Sequence, residues 1–195
     1  MTKCLVAFGY HEGEKMLFFS LMFACLSTTH IDSSPELEVE EEVCASVYNR
    51  KPCNFSTIDS DGNSVDFYDL IGKPVILDFS AMWCGPCVMA ATEVQDVQDR
   101  YPELTYLTIL IENTSGINPT EEDLDTWKNS YGITTAPVWA GSRDIITSDP
   151  LATAGEFYLG GWPTFYFIDE ELRIVGYQRG FDSGVIEGWA ESLTE

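Results

Sequence analysis

The chain has 195 residues, which is enough for one domain and a tail. Its 32 acidic and 10 basic side chains give a formal net charge of −22, and such a surface repels the phosphate groups of nucleic acids and of anionic lipids. We therefore exclude nucleic acid as a partner and electrostatic docking on a membrane, and we interpret the acidity as a source of solubility.

An apolar run over residues 16–26 is too short to span a bilayer comfortably and is typical of a signal peptide. We predict a signal or leader segment over residues 1–26, with Met16 as an alternative start. Residues 22–25, Met-Phe-Ala-Cys, resemble the lipobox after which bacterial lipoproteins are cleaved and lipidated, although the Met and the bulky Phe depart from the usual pattern. Cys25 is therefore a lipidation candidate, and simple secretion is the alternative.

The next segment is strongly acidic, with five acids among the seven residues 36–42. Because like charges repel and keep a chain extended, we predict an acidic flexible linker over residues 27–43 and a domain over residues 44–195. Cys44 and Cys53 lie at the start of this domain and enclose eight residues. In an exported protein we predict a structural disulfide between them, worth roughly 2–3 kcal/mol; two free, partly buried thiols are the alternative.

Two short segments, residues 55–58 and 65–67, flank the turn sequence Asp-Ser-Asp-Gly-Asn at residues 59–63. This pattern predicts an N-terminal β-hairpin. The acidic turn also invites comparison with a calcium loop. Its glycine stands at the wrong place for an EF-hand and no glutamate occupies the twelfth position, so we exclude calcium.

The most informative stretch is residues 75–87, Val-Ile-Leu-Asp-Phe-Ser-Ala-Met-Trp-Cys-Gly-Pro-Cys. Its apolar first half predicts a buried strand, and the Cys-x-x-Cys pair follows at the start of a helix. Two thiols at this spacing can close and reopen a disulfide, and the helix start stabilises the thiolate of Cys84, the nucleophile of thiol–disulfide exchange. The sequence has no second such pair, which excludes zinc, and Val88 instead of His after Cys87 excludes haem attachment.

Downstream segments alternate between helical and strand patterns. We predict a helix over residues 84–101, whose apolar face includes Met89, Val94 and Val97, and a central strand over residues 104–111. We further predict a capped helix over residues 120–131, a short strand over 138–140 and a helix start at 149–150. A hairpin over residues 165–168 and 173–177 and a closing helix over 183–193 follow. Strands alternating with helices indicate an α/β fold with a mixed sheet.

Residues 78–87 resemble the active-site strand and loop of thioredoxin, with the pattern Asp-Phe-x-Ala-x-Trp-Cys-Gly-Pro-Cys. Residues 161–168, Gly-Trp-Pro-Thr-Phe-Tyr-Phe-Ile, resemble its cis-proline loop and the strand that follows. The motifs lie about 80 residues apart, and residues 127–138 fit the extra helix and strand of the TlpA/ResA-type redoxins. The resemblance implies a thioredoxin-like α/β fold: a mixed central sheet flanked by helices, with an N-terminal β-hairpin and this insertion.

The resemblance assigns roles within the active-site loop. Cys84 is expected to attack a substrate disulfide, and Cys87, one helical turn further and more buried, to resolve the mixed disulfide. Gly85 and Pro86 hold the turn, and proline suits a first helical turn because it has no N–H to leave unpaired. Trp83 is expected to form an apolar rim that contacts substrate.

Three residues outside this loop complete the expected site. A cis peptide bond before Pro163 would let Trp162 offer its backbone to an extended substrate strand. Asp78 is a carboxylate in an apolar strand, so burial should raise its pKa. It matches the buried acid of thioredoxin, which is taken to move the proton of the second thiol; a solvated or hydrogen-bonded Asp at a strand end is the alternative.

The sequence departs from the family pattern at three positions near the cysteines. Val88 replaces a common basic residue, Ala90 stands where a Glu is frequent, and Thr92 replaces the proline that kinks the thioredoxin helix. These departures concern substrate choice more than the exchange chemistry.

The sequence thus favours an exported thiol–disulfide oxidoreductase in a bacterial periplasm or cell envelope, with a lipid on Cys25 as the only membrane contact. The Gly-Pro between the cysteines resembles reducing thioredoxins, so we expect protein disulfides as substrates and a membrane electron donor as partner. We expect no cofactor beyond the Cys84–Cys87 disulfide and no metal. A disulfide oxidase or isomerase and a redox-inert binding module are the alternatives.

Overall fold

The structure is a computed structural model that describes residues 43–151 and 155–195. The predicted leader, the lipidation candidate Cys25 and the predicted linker up to residue 42 lie outside the described residues. No helix in the described ranges is long and apolar enough to cross a membrane.

The described strands are β1 Ser56–Ile58, β2 Ser64–Asp66, β3 Val75–Ala81, β4 Thr105–Glu112, β5 Val138–Ala140, β6 Ile146–Thr147, β7 Phe157–Tyr158, β8 Thr164–Ile168 and β9 Ile174–Arg179. The described helices are α1 Gly85–Ala91, α2 Val94–Arg100, α3 Glu121–Tyr131 and α4 Ser183–Thr194, together with two short 3-10 helices at Phe67–Leu70 and Arg143–Ile145.

A five-stranded sheet in the order β5-β4-β3-β8-β9 forms the centre of the described region. Strand β3 pairs parallel with β4 and antiparallel with β8, so the sheet is mixed. Every residue of β3 is buried, because neighbours cover the strand at both edges and on both faces. The α/β fold with a mixed sheet and helices that the sequence predicts is confirmed.

The two faces of the sheet have different covers. On the first face, side chains of the sheet pack against all four described helices. The sheet contributes Ile76, Tyr106 and Phe165, and the helices contribute Cys87, Val94, Leu124 and Ile186. The second face packs against the segment that follows the hairpin and against the β6–β7 region. Here the ring of Phe157 lies 4.9 Å from Phe79 and 6.2 Å from Phe67.

The predicted single helix over residues 84–101 is two helices, α1 and α2, so that prediction was wrong. The Thr92 hydroxyl donates to the Met89 carbonyl at 2.7 Å, and the Glu93 N–H donates to the Ala90 carbonyl at 3.0 Å, three residues back. A helix needs bonds to the fourth residue back, so the ladder is interrupted here. The break occurs without the proline of thioredoxin.

The placement of Met89 on the apolar face was also wrong, because this side chain is 54% exposed. The buried positions of α1 are Cys87, Ala90 and Ala91, and they continue at Val94 in α2. Met89 falls outside this stripe.

The capped start of α3 agrees with the prediction. The Thr120 hydroxyl accepts the Asp123 N–H at 3.3 Å, and the Asp123 carboxylate accepts the Thr120 N–H at 2.8 Å, which satisfies two free N–H groups reciprocally. At the predicted helix start, residues 150–151 form a turn and the Asp149 carboxylate accepts the Leu151 N–H at 2.9 Å. Residues 152–154, over which a helix would continue, are outside the described ranges, so this helix stays a prediction.

The structure joins Cys44 to Cys53 in a disulfide, with Cα atoms 4.8 Å apart. The enclosed loop is also tied to the start of β9. The Asn49 N–H donates to the Ile174 carbonyl at 2.7 Å, and the Ile174 N–H donates to the Arg50 carbonyl at 3.0 Å. The loop therefore extends the edge of the sheet by two hydrogen bonds.

Candidate active site

The Cys-x-x-Cys pair lies where β3 ends and α1 begins, and the structure joins Cys84 to Cys87 in a disulfide with Cα atoms 5.2 Å apart. Cys84 is the N-cap residue of α1, and its sulfur accepts the Cys87 N–H at 3.2 Å. Pro86 occupies the first helical turn, where its missing N–H costs nothing. The sequence therefore folds so that one sulfur receives a backbone hydrogen bond at the positive end of a helix.

The two sulfurs differ in burial. Cys84 retains 4% exposure, whereas Cys87 is fully buried and packs among the helix-facing side chains. A thiolate at Cys84 would be stabilised by the N–H groups of the helix start. Cys84 is thus the more accessible of the two cysteines, and Cys87 is the more enclosed.

Asp78 is fully buried in β3, with Ser80 and Ile76 on the face that the helices cover. The Ser80 hydroxyl donates to Asp78 Oδ1 at 2.8 Å, and Oδ2 has no hydrogen-bond partner among the described residues. Burial raises the pKa of Asp78 from 3.8 to about 7, because desolvation disfavours the carboxylate more than the Ser80 hydrogen bond favours it. This acid can therefore take up or release a proton near neutral pH.

Further polar atoms on this face lack a hydrogen-bond partner within the described region: Tyr106 Oη, Thr108 Oγ1 and Trp127 Nε1. Thr108 is the β4 residue directly paired with Asp78, and Tyr106 lies two positions earlier on the same side of the strand. Burial and the nearby Asp78 charge raise the pKa of Tyr106 well above its ordinary value, so the phenol stays neutral. The polar neighbours of Asp78 named here are thus hydroxyl groups that carry no charge.

The second predicted motif lies at the same end of the sheet, because Thr164 of β8 pairs with Phe79 of β3. The peptide bond between Trp162 and Pro163 is cis, as the resemblance implied. The Pro163 carbonyl accepts the Gly180 N–H at 2.8 Å. The Trp162 ring meets the Trp83 ring edge to face at 5.6 Å, so the two loops are in direct contact.

Sequence reasoning missed two residues behind Trp83. Glu112, the last residue of β4, is 5% exposed, and its carboxylate accepts the Trp83 indole N–H at 2.8 Å. Arg143, in the second 3-10 helix, donates to the other oxygen of the same carboxylate and forms an ion pair with it. One signal was available, since Glu112 is a charged residue that closes an otherwise apolar strand. The sequence offered no signal for its pairing with Arg143, which lies 31 residues away.

No group of three or more His, Cys, Asp or Glu side chains that could hold a metal ion occurs in residues 43–151 and 155–195. The arrangement instead provides two thiols, a protonatable carboxylate and an aromatic rim. These are the groups that thiol–disulfide exchange requires.

Comparison with known proteins gives the same picture. The sequence profile of the AhpC/TSA family matches residues 49–177. The thiol-disulfide oxidoreductase ResA of Bacillus thuringiensis is 25% identical over 142 residues, which cover 72% of this chain and 75% of ResA.

Solved structures share the fold. A putative thiol:disulfide interchange protein DsbE from Chlorobium tepidum superposes with a TM-score of 0.60 at 20% identity, covering 76% of this chain and 99% of that one. The exposed lipoprotein thioredoxin Etrx1 from Streptococcus pneumoniae superposes with a TM-score of 0.54 at 22% identity, covering 71% and 99%. The chain belongs to the AhpC/TSA family, in which it is a TlpA/ResA-type, thioredoxin-like thiol–disulfide oxidoreductase.

Proposed function

We propose that this enzyme is exported and reduces disulfide bonds of proteins through the Cys84–Cys87 dithiol. The main support is the position of Cys84, the more accessible sulfur, which caps α1 and accepts the Cys87 N–H at 3.2 Å. A helix start stabilises a thiolate, and the thiolate is the species that attacks a disulfide.

The reaction proceeds in two exchanges. The Cys84 thiolate attacks one sulfur of a substrate disulfide, an enzyme–substrate disulfide forms, and one substrate thiolate leaves. The Cys87 thiolate then attacks the Cys84 sulfur, the mixed disulfide breaks, and the second substrate thiolate leaves. Two electrons pass from the dithiol to the substrate, and the enzyme ends with the Cys84–Cys87 disulfide. Reduction by an electron donor returns it to the dithiol.

Asp78 is the proposed proton acceptor for Cys87. A buried thiol attacks only after it loses its proton, and Cys87 is fully buried, so bulk water has no direct contact with it. Asp78 is buried on the same helix-facing side as Cys87, and its pKa of about 7 suits a base that works near neutral pH. A carboxylate with an ordinary pKa would be a weaker base.

The proposed substrate surface is formed by Trp83, Trp162 and Pro163. Trp83 is 48% exposed beside Cys84, and its ring touches that of Trp162. An extended polypeptide lying along the cis-proline loop would pass over this aromatic pair and bring its disulfide to Cys84.

Export is supported by the second disulfide, since Cys44 and Cys53 bond in the structure and disulfides persist in oxidising compartments. The solved relative Etrx1 is described as an exposed lipoprotein. We propose the periplasm or cell envelope as the location, a lipid on Cys25 as an anchor, and a membrane protein as the electron donor.

Reduction of insulin in the presence of dithiothreitol tests this function, because released insulin chains precipitate and scatter light. The wild type should accelerate precipitation, and Cys84→Ser should abolish the acceleration. Cys87→Ser should form a mixed disulfide that persists. A double Cys44→Ser, Cys53→Ser variant serves as the control and should retain activity. Activity that survives Cys84→Ser would rule out Cys84 as the nucleophile.

A further inference from the structure

A buried carboxylate at the end of β4 ties together parts of the chain that are far apart in sequence. Glu112 is 5% exposed and receives hydrogen bonds on both of its oxygens. The indole N–H of Trp83 donates to Oε2 at 2.8 Å, and the guanidinium Nε of Arg143 donates to Oε1 at 2.5 Å. A buried charge is costly unless it is paired and hydrogen-bonded, and Glu112 meets both conditions.

Glu112 also holds the active-site loop through its backbone. Its carbonyl accepts the Met82 N–H at 2.9 Å, and an irregularity in the β3–β4 pairing brings Ala81 opposite Glu112. One residue thus anchors two consecutive residues, Met82 by its backbone and Trp83 by its side chain. These are the two residues directly before Cys84.

The side-chain bond matters because Trp83 is half exposed. A tryptophan ring with 48% exposure would otherwise sample several rotamers. The bond to Glu112 fixes the indole edge, which leaves the ring edge to face with Trp162 at 5.6 Å. Trp162 precedes the cis peptide bond, so the ring that Glu112 binds is in direct contact with the cis-proline loop.

Arg143 completes this group from the other side. Its side chain is 65% exposed, yet it pairs with a carboxylate that is almost fully buried. Arg143 and Trp162 line the same cleft of about 430 Å³, together with Ile146, Leu159, Thr147 and Ser148. Arg143 therefore both neutralises Glu112 and forms one wall of a groove that begins at the cis-proline loop.

We propose that Glu112, neutralised by Arg143, is a positioning residue that holds the Trp83 ring in place for polypeptide substrates. The inference rests on the proposed function and deepens it. Glu112 does not touch the reacting sulfurs; it acts through Trp83. It should therefore govern the binding of an extended polypeptide and have little influence on a small disulfide that needs only Cys84.

The test compares Glu112→Gln with a matched change elsewhere. Trp83 and Arg143 donate to different oxygens of Glu112, and a Gln side chain in the same position has an NH₂ group in place of one of them, so it can keep only one of the two bonds in this geometry. The control is Glu187→Gln, because Glu187 also binds one arginine and one aromatic donor, Arg100 and Tyr101, in an exposed pair between α2 and α4.

We expect Glu112→Gln to raise KM for insulin about tenfold, which is the effect of one charge-assisted hydrogen bond, with kcat nearly unchanged. The rate with the small disulfide 5,5′-dithiobis(2-nitrobenzoate) should stay near the wild-type rate. In a Trp83→Phe background, Glu112→Gln should add no further increase in KM. Equal KM values for Glu112→Gln and Glu187→Gln would overturn the proposal, as would an undiminished effect in the Trp83→Phe background.

An NMR measurement separates this inference from the proposed function. The indole ¹⁵N–¹H resonance of Trp83, identified by its loss in Trp83→Phe, should shift in Glu112→Gln and stay fixed in Glu187→Gln. An unshifted resonance would show that Glu112 does not hold the ring, whatever the activity. If the wild type reduces no insulin, the proposed function is wrong, and so is the role of Glu112 in substrate binding. The Trp83 resonance would still show whether Glu112 holds the ring.

Discussion

Two buried carboxylates, Asp78 and Glu112, lie on neighbouring strands, and they differ in their hydrogen-bond donors and in whether a positive charge is paired with them. Within the part of the chain that the structure describes, Asp78 receives a hydrogen bond from Ser80, and its second oxygen has no partner. Glu112 is bound by an indole and a guanidinium. Environments that differ in this way assign different roles to the same kind of side chain. Asp78 is suited to proton transfer, and Glu112 to holding a fixed geometry.

Asp78→Asn should stabilise the oxidised protein in a pH-dependent way. Burial raises the pKa of Asp78 to about 7 from 3.8, so between these values the native state keeps a proton that the unfolded state has lost. The stability of the wild type therefore falls as pH rises from about 4 to 7 and then levels off. The variant lacks this titration, so its advantage should be small near pH 4 and reach about 2–4 kcal/mol at pH 8.

Urea denaturation across this pH range measures the difference. Asp125→Asn, an exposed change on α3, is the control and should show no such trend. A constant difference between wild type and Asp78→Asn at all pH values would mean that Asp78 does not titrate in this range.

The same variant tests the proton transfer. Without the carboxylate, Cys87 should resolve the mixed disulfide about tenfold more slowly or worse near pH 7, because a positioned base is lost. The difference should shrink at high pH, where hydroxide can take the proton, and the first attack by Cys84 should change little. Stopped-flow tryptophan fluorescence follows both steps. Identical resolution rates at every pH would leave Asp78 with a structural role only.

The sequence could identify Asp78 because the residue interrupts an apolar run next to the cysteines. It did not identify the Glu112 and Arg143 pair. The partners of Glu112 are Trp83 and Arg143, which lie 29 and 31 residues away in the chain. Only the folded sheet brings these three residues together. Local pattern reasoning has no access to such a contact.

At the scale of elements, the break between α1 and α2 can be tested directly. Thr92 has φ −69°, which proline also adopts, and its N–H contacts the Ala90 carbonyl instead of the carbonyl four residues back. Thr92→Pro should therefore change stability by no more than about 1 kcal/mol, because a stiffer unfolded chain offsets the loss of the hydroxyl bond and of this N–H contact.

Asp125→Pro, in the middle of α3, is the matched control and should cost about 3 kcal/mol or more, because it removes a helical hydrogen bond. Thermal or urea unfolding of the two variants provides the comparison. A cost for Thr92→Pro as large as that of Asp125→Pro would mean that the helix is continuous in solution.

The long elements could be predicted because their patterns are strong. Strands β3 and β4 are long and mostly apolar, and α3 carries its own capping box. Strands β6 and β7 have two residues each and were not predicted, since they exist only through pairing with each other. Met89 was misplaced because α1 buries its small alanines and exposes the larger side chain.

At the scale of the whole molecule, the two disulfides within the described residues lie in different parts of the fold. Cys44–Cys53 closes a loop that is hydrogen-bonded to β9, on one edge of the sheet. Cys84–Cys87 lies at the end of the central strand, among the side chains that exchange chemistry requires. We therefore expect the first pair to remain bonded while the second turns over.

The redox potential of the Cys84–Cys87 pair tests the central claim most directly. The protein is equilibrated with mixtures of reduced and oxidised dithiothreitol, alkylated, and analysed by mass spectrometry at each cysteine. A reductant should titrate near the potential of thioredoxin, about −270 mV, with Cys44 and Cys53 still bonded at that potential. A value above about −180 mV, the range of protein disulfide isomerase, would contradict the claim that this enzyme reduces its substrates.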